Sequence, residues 1–179
     1  MNSLQWLEER FPGVEGQPDP VDWDALHAEF GVSFPEDYKA LYERFGSFSL
    51  DEDLAVLGPG DILRLRSVHR QDIDQATGGR SGVSVGAGVG VSHLQIEGEF
   101  VDFDDLLRFG TTDVSYSLYW HASSEDPREW KILVGDGSMW YSFDMGIADL
   151  LVSVMNRSLS CPPLVQSSWP TEETELIPF

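Results

Sequence analysis

The side chains in this sequence that could do chemistry are few and far apart. Histidines stand at positions 27, 69, 93 and 121, each isolated from the others. No two of them bracket a glutamate four residues apart, and no Cys/His cluster has the spacing of a zinc site. His27 falls on the apolar side of a predicted helix and reads as core-lining. His121 follows Trp120 at a strand end and is the most site-like of the four, although the sequence names no partner for it. Cys161 is the only cysteine, followed by Pro162 and Pro163, with no neighbouring His or basic residue to activate a thiolate. The glycine-rich run from Gly78 to Gly90 lacks the lysine and following hydroxyl of a phosphate-binding loop. No lysine occurs between Lys39 and Lys131. Ser81 is not the nucleophile of a hydrolase elbow, because Val83 takes the place of the last glycine. These patterns predict a non-enzymatic protein with no cofactor and no bound metal.

The carboxylates are the exception. Two clusters stand out, Asp51-Glu52-Asp53 and Asp102 with Asp104 and Asp105. Such groups can be solvated, meet a basic partner, coordinate a divalent cation or serve as acid and base. Their spacing matches no EF-hand loop. Across the chain 31 acidic side chains oppose 11 basic ones, a formal charge of −20, with the acids spread along its whole length. A surface of this sign disfavours bare nucleic acid, whose binding requires cations to displace counterions. It suits a basic protein, because complementary potentials speed encounter and suppress wrong partners. In such an interface the carboxylates steer and line the rim, while aromatic side chains supply the centre. The candidate partner-binding residues are therefore Asp51, Glu52, Asp53, Asp102, Asp104, Asp105 and Asp113, together with Tyr116, Tyr119 and Trp140.

Apolar periodicity indicates the elements that must carry these residues. Leu4, Leu7 and Phe11 predict a short opening helix, and a Gly- and Pro-rich linker follows from Gly13 to Pro20. Asp22 has the type and position of an N-cap for a helix with Trp23, Leu26, His27 and Phe30 on one side. Pro35 suits the first position of a second helix bearing Tyr38, Leu41, Tyr42 and Phe45, which Gly46 ends. The pair should pack as a hairpin on something flat. Leu54 to Leu57 reads as a strand, Ile62, Leu63 and Leu65 remain open between states, and residues 67–82 read as a long loop or an irregular helix. Short strands should follow up to Phe103.

A turn is expected at Gly110-Thr111-Thr112-Asp113, then a strand with Tyr116, Leu118 and Trp120 on one face. A second strand opens on Trp130, and a third carries Met139, Tyr141 and Phe143 beyond a hairpin turn at residues 135–138. Asp144 is predicted to cap a last helix carrying Ile147, Leu150, Leu151, Val154 and Met155. After Ser158 the sequence is rich in Pro and Ser and has no periodicity, which reads as a loose tail. The expected fold class is α+β: N-terminal helices packed on a mixed, largely antiparallel sheet, closed by a C-terminal helix. The expected division is an N-terminal helix and linker (1–20), the α+β domain (21–158) and the tail (159–179).

A length of 179 residues, 41% apolar with six Trp, is enough for one real core and unlike a disordered acidic chain. A single cysteine allows no internal disulfide and fits a reducing compartment. The sequence has no basic start leading into an apolar run, and no apolar stretch approaching the roughly 18 residues of a membrane span. A cytoplasmic protein is expected.

Taken together and in order, several of these segments resemble the SUKH superfamily. Phe34-Pro35-Glu36-Asp37-Tyr38 is similar to the (L/F)-P-x-D-Y element that starts its second helix. Phe109-Gly110-Thr111-Thr112-Asp113, Trp120, Asp126-Pro127, Trp130 and the Phe143-Asp144…Leu150-Leu151 helix are similar to its later landmarks. Gly46-Ser47 stands where many members have a glycine pair, and Val114-Ser115 where many have Asn-Gly. The resemblance implies an α+β fold in which Pro35, Asp37, Tyr38, Gly110, Trp120 and Trp130 are structural landmarks. It also implies a protein-binding role. Bacterial members are immunity proteins that block toxin domains, often nucleases, and a fungal branch regulates cell-wall synthesis as adaptable scaffolds.

Overall fold

The amphipathic periods place helices where the sequence predicts them, and local side chains cap the first two. The computed structural model describes residues 2–66, 93–96, 99–136 and 139–179, with the backbone alone for 93–96, 99, 100 and 103. Helix α1 is Ser3–Arg10, with Asn2 accepting from the Gln5 amide, and it buries Leu7, while Phe11 is buried just beyond its end. Helix α2 is Trp23–Phe30, capped by Asp22 through the Ala25 amide at 2.9 Å. Helix α3 is Glu36–Phe45 and buries Tyr38, Leu41 and Phe45. Pro35 sits one position earlier than expected, as the extended residue before the helix. Residues 59–66 form a further helical segment, α4, which resolves the open state of Ile62 and Leu63.

The sheet is built from β1 (Phe48–Leu50), β2 (Leu54–Val56), β5 (Leu106–Thr112), β6 (Ser117–His121), β7 (Lys131–Gly135), β8 (Trp140–Phe143) and β9 (Leu176–Pro178). Their order is β8-β7-β6-β5-β2-β1-β9, and all of these neighbours pair antiparallel. A separate hairpin joins β3 (His93–Ile96) to β4 (Glu99–Asp102). The fold class is thus α+β, with the sheet antiparallel throughout rather than mixed. The predicted segment over 67–82 and the glycine-rich run to Gly90 lie outside the described residues.

Strand alternation puts Phe48, Leu50, Leu54, Val56, Leu107, Phe109, Leu118, Trp120, Ile132 and Val134 into one core with Leu7, Leu41, Phe45 and the buried face of helix α5 (Ile147–Met155). Helices α1, α3 and α5 contact one another over that face. The opposite face carries a smaller cluster of Val101, Leu106 and Leu133, flanked by Tyr119 and Trp140.

Several expectations need correction. Gly110 to Thr112 do not turn; they complete β5 after a bulge between Arg108 and Gly110, and the turn comes at residues 113–116. The bulge brings Gly110 so close to β2 that a side chain there would meet the Ala55 carbonyl oxygen at 2.7 Å. Tyr116 precedes its strand instead of lying in it, and Trp130 precedes β7. Met139 is exposed rather than sharing the inward face of Tyr141 and Phe143. His27 is exposed, because α2 docks through Trp23 and Leu26 and buries no residue completely.

Residues 159–179 are not loose. Cys161, Leu164, Trp169 and Leu176 enter the main core, and β9 pairs with β1. Helix α5 is therefore followed by a returning segment instead of closing the fold. The buried Cys161 thiol is pushed up to about 11 by desolvation, opposite to what a nucleophile needs. Among the described residues no helix is long and apolar enough to cross a membrane.

Candidate protein-binding surface

Antiparallel order gathers the turns after β1, β5 and β7, and the segment before β9, at one end of the sheet. Asp51, Glu52 and Asp53 form the first of these turns, and Asp113 opens the second. The Asp113 amide donates to the Asp53 carbonyl at 3.0 Å, which locks the two turns together. Asp53 has its pKa raised, first by desolvation and then by the negative charges of Asp113, Asp51 and Glu52. Among the described residues no salt bridge involves these four carboxylates.

Their roles differ. Asp51, held at a left-handed φ of 48°, accepts the Trp169 indole N–H at 2.8 Å and the Glu175 amide at 2.9 Å. Its carboxylate is engaged in holding the C-terminal segment. Glu52 and Asp113 are exposed and Asp53 is half-buried, so these three present the charge. Sequence reasoning missed two carboxylates at the same end, Asp136 and Glu175. The first lies in the β7–β8 turn, where its side chain accepts a hydrogen bond from the Met139 amide. Only the strand order reveals this grouping, since the three turns and the segment before β9 are distant in sequence.

The second predicted cluster lies at the other end. Asp102 Oδ1 accepts from the Asp104 amide at 2.9 Å in a turn that continues as a 3-10 segment (Phe103–Asp105) leading into β5. Asp105 has a raised pKa, from desolvation and from Asp102 and Asp104, opposed by His121 and Arg66. Buried His121 therefore does have charged neighbours. The two clusters do not form one surface. Tyr119 and Trp140 lie on the sheet face away from the helices, packed against each other at 5.7 Å, and both are half-buried. Half-buried Tyr116 packs on the main core beside Asp136. Of the aromatic candidates, Tyr116 lies in the turn at the Asp51–Asp53 end, and Trp140 opens β8 at that same end on the outer face of the sheet. Among the described residues no group of three His, Cys, Asp or Glu is arranged to hold a metal ion.

The six landmark residues make scaffold contacts. Tyr38 donates its hydroxyl to the Leu57 carbonyl at 2.7 Å, stacks on Phe34 and meets Trp120 edge to face. Trp120 packs on Phe109 at 4.3 Å, and Trp130 donates its indole N–H to the Ser124 carbonyl at 2.7 Å. Asp37 does the work predicted for Asp144. The N-cap of α5 is Gly146, which offers no side chain, and Asp37 reaches across from α3 to accept the Ala148 amide at 3.1 Å. Its other oxygen accepts the Tyr38 amide at 2.9 Å. Burial raises the Asp37 pKa, and these amide bonds pull it back down.

A pH prediction follows from these shifts. Asp37, Asp53 and Asp105 all have folded pKa values above the ordinary 3.8, so the folded state binds more protons than the unfolded one between 3.8 and those values. Stability contributed by these groups should rise as pH falls from neutral through that window. Asp126, lowered to about 2 by Arg128, acts in the opposite sense only below 3.8. Thermal melts at low salt are expected to show Tm rising as pH falls from 6 towards 4. A monotonic loss of Tm on acidification over that range would contradict this. No family model matches the chain, and searches of curated proteins and of solved structures give no match either.

Proposed function

We propose that this protein is a non-enzymatic, cytoplasmic protein-binding module that binds and neutralises a basic protein domain, in the manner of the immunity proteins of the SUKH superfamily, which its sequence resembles. The observation that carries this reading is the gathering of Glu52, Asp53 and Asp113 at one end of the sheet, where mutual repulsion contributes to raising the Asp53 pKa. A basic surface docked there would relieve that repulsion, and the formal charge of −20 would steer it in. The target of such a module is a toxin domain, with basic nucleases the best match in charge.

The test is capture by the tagged protein from its source cells at low salt, with a salt eluate analysed separately. One dominant basic protein in 1:1 ratio is expected. Its affinity should fall as ionic strength passes about 0.15 M, where the Debye length is about 8 Å. The double variant Glu52→Lys/Asp113→Lys should lose roughly tenfold in affinity, chiefly through slower association. Salt-insensitive binding to an acidic partner would sink the charge argument. Recovery of many substoichiometric envelope or regulatory proteins would favour the other SUKH role, a scaffold in cell-wall control.

A further inference from the structure

Away from the acidic turns, the end of the linker and the start of α2 leave an open groove of about 730 Å³ against α3. Trp23, Val21 and Ala40 give it an apolar floor, and Asp22, Asp24, Glu36 and Glu43 line it alongside a single cation, Lys39. The Trp23 ring is fixed in place. Its indole N–H donates to Glu43 Oε1 at 2.9 Å, and Phe34, Tyr38 and Tyr42 meet it at interplanar angles of 61–83°. A cation already uses this ring: Lys39 Nζ lies 5.9 Å from its centroid while bonded to Glu36 at 2.6 Å. Four carboxylates against one ammonium leave the groove strongly negative after that contact is counted.

We infer that this groove seats an arginine side chain of a basic protein partner, stacked on Trp23 and paired with the carboxylates beside it. Arginine fits better than lysine. Its planar guanidinium stacks on an indole while its N–H fork reaches carboxylates on either side. Asp24 is exposed, and Asp22 uses one oxygen, Oδ1, to cap α2. The inference rests on the reading that the partner is basic, and it names a contact separate from the Glu52–Asp113 end.

The probe is a capped peptide, Gly-Arg-Gly-Arg-Gly, with its lysine counterpart, titrated at low salt into the full chain labelled with ¹⁵N. The six indole N–H resonances are followed, that of Trp23 being assigned by its loss in Trp23→Phe. A saturating shift of the Trp23 signal is expected, with the arginine peptide roughly threefold tighter than the lysine one. Lys39→Ala, which frees the ring and Glu36, should tighten binding by roughly twofold to fivefold. Asp24→Asn should weaken it, and Glu52→Lys should leave it little changed. A Trp23 signal that does not move with millimolar peptide overturns the inference. So does a response confined to residues 51–53 and 113, which would leave the broader acidic-surface reading standing. If capture from cells returns no basic partner while the peptide still binds at Trp23, the broader reading falls and the groove remains.

Discussion

A chain ended at Ser158 should fail to fold. Residues 159–179 place Leu164, Trp169 and Leu176 in the main core, and β9 supplies one of the two neighbours of β1. Full burial of each such apolar side chain stabilises by roughly 1.5–3 kcal/mol. Their joint loss, with the β9 ladder and the Cys161 contacts, is on the order of the 5–15 kcal/mol that holds a domain together. The truncated chain should lack a cooperative thermal transition and should show dispersed signals collapsing in its NMR spectrum. Trp169→Ala is the gentler version. It removes a ring that is 7% exposed and the hydrogen bond to Asp51, at a cost of about 3–5 kcal/mol. A truncated protein melting cooperatively within a few degrees of the full chain would show that the segment merely rests on the surface.

Replacing Asp37 by Ala should be the most damaging change to a charged residue. It leaves the Ala148 amide, at the start of the helix with the largest buried face, without its acceptor. Losing a cap of this kind costs about 1–3 kcal/mol, which for a domain of this length lowers Tm by roughly 2–12 °C. Gly146→Ala should reproduce much of that loss, because a Cβ at Gly146 would collide with the Asp37 carboxylate and push it off the helix terminus. The two should not add. In a double-mutant cycle the second substitution should cost little once the first is made, whereas independent sites would give the sum. Asp37→Asn keeps an acceptor and should fall between wild type and Asp37→Ala. Additive losses would mean that Asp37 acts through some contact other than α5.

Elements whose determinants are local were legible in the sequence. Asp22 and its Trp23 helix, the Tyr38-Leu41-Phe45 face and the Ile132/Val134 alternation all depend on neighbours within a turn or a strand. What stayed hidden depends on distant partners. Asp144 has the type of a cap, but the amide it would serve is taken by Asp37, 111 positions before Ala148. The stretch after Ser158 lacks periodicity because it crosses the core as single anchors, Leu164, Trp169 and Leu176, instead of as one amphipathic element. His27 has the spacing of a core residue, yet α2 sits at the periphery and only Trp23 and Leu26 pack inward. The candidate surface behaved likewise. Residues 51–53 were visible as a run, but their meeting with Asp113, Asp136 and Glu175 follows from strand order, which no local pattern encodes.

The position of β1 between β2 and β9 sets the order in which the molecule can assemble. Its pairing with β2 closes a tight turn, so that hairpin can form early. Its pairing with β9 joins Phe48 to Pro178, 130 positions later, and the entropy of closing so large a loop must be met before the contact returns anything. Folding should therefore pass through species in which the outer edge of β1 is bare, with unpaired amides and carbonyls open to other chains. The Asp51 carboxylate, which grips both Trp169 and the Glu175 amide, sits beside that edge and is the latch by which the last strand is finally retained.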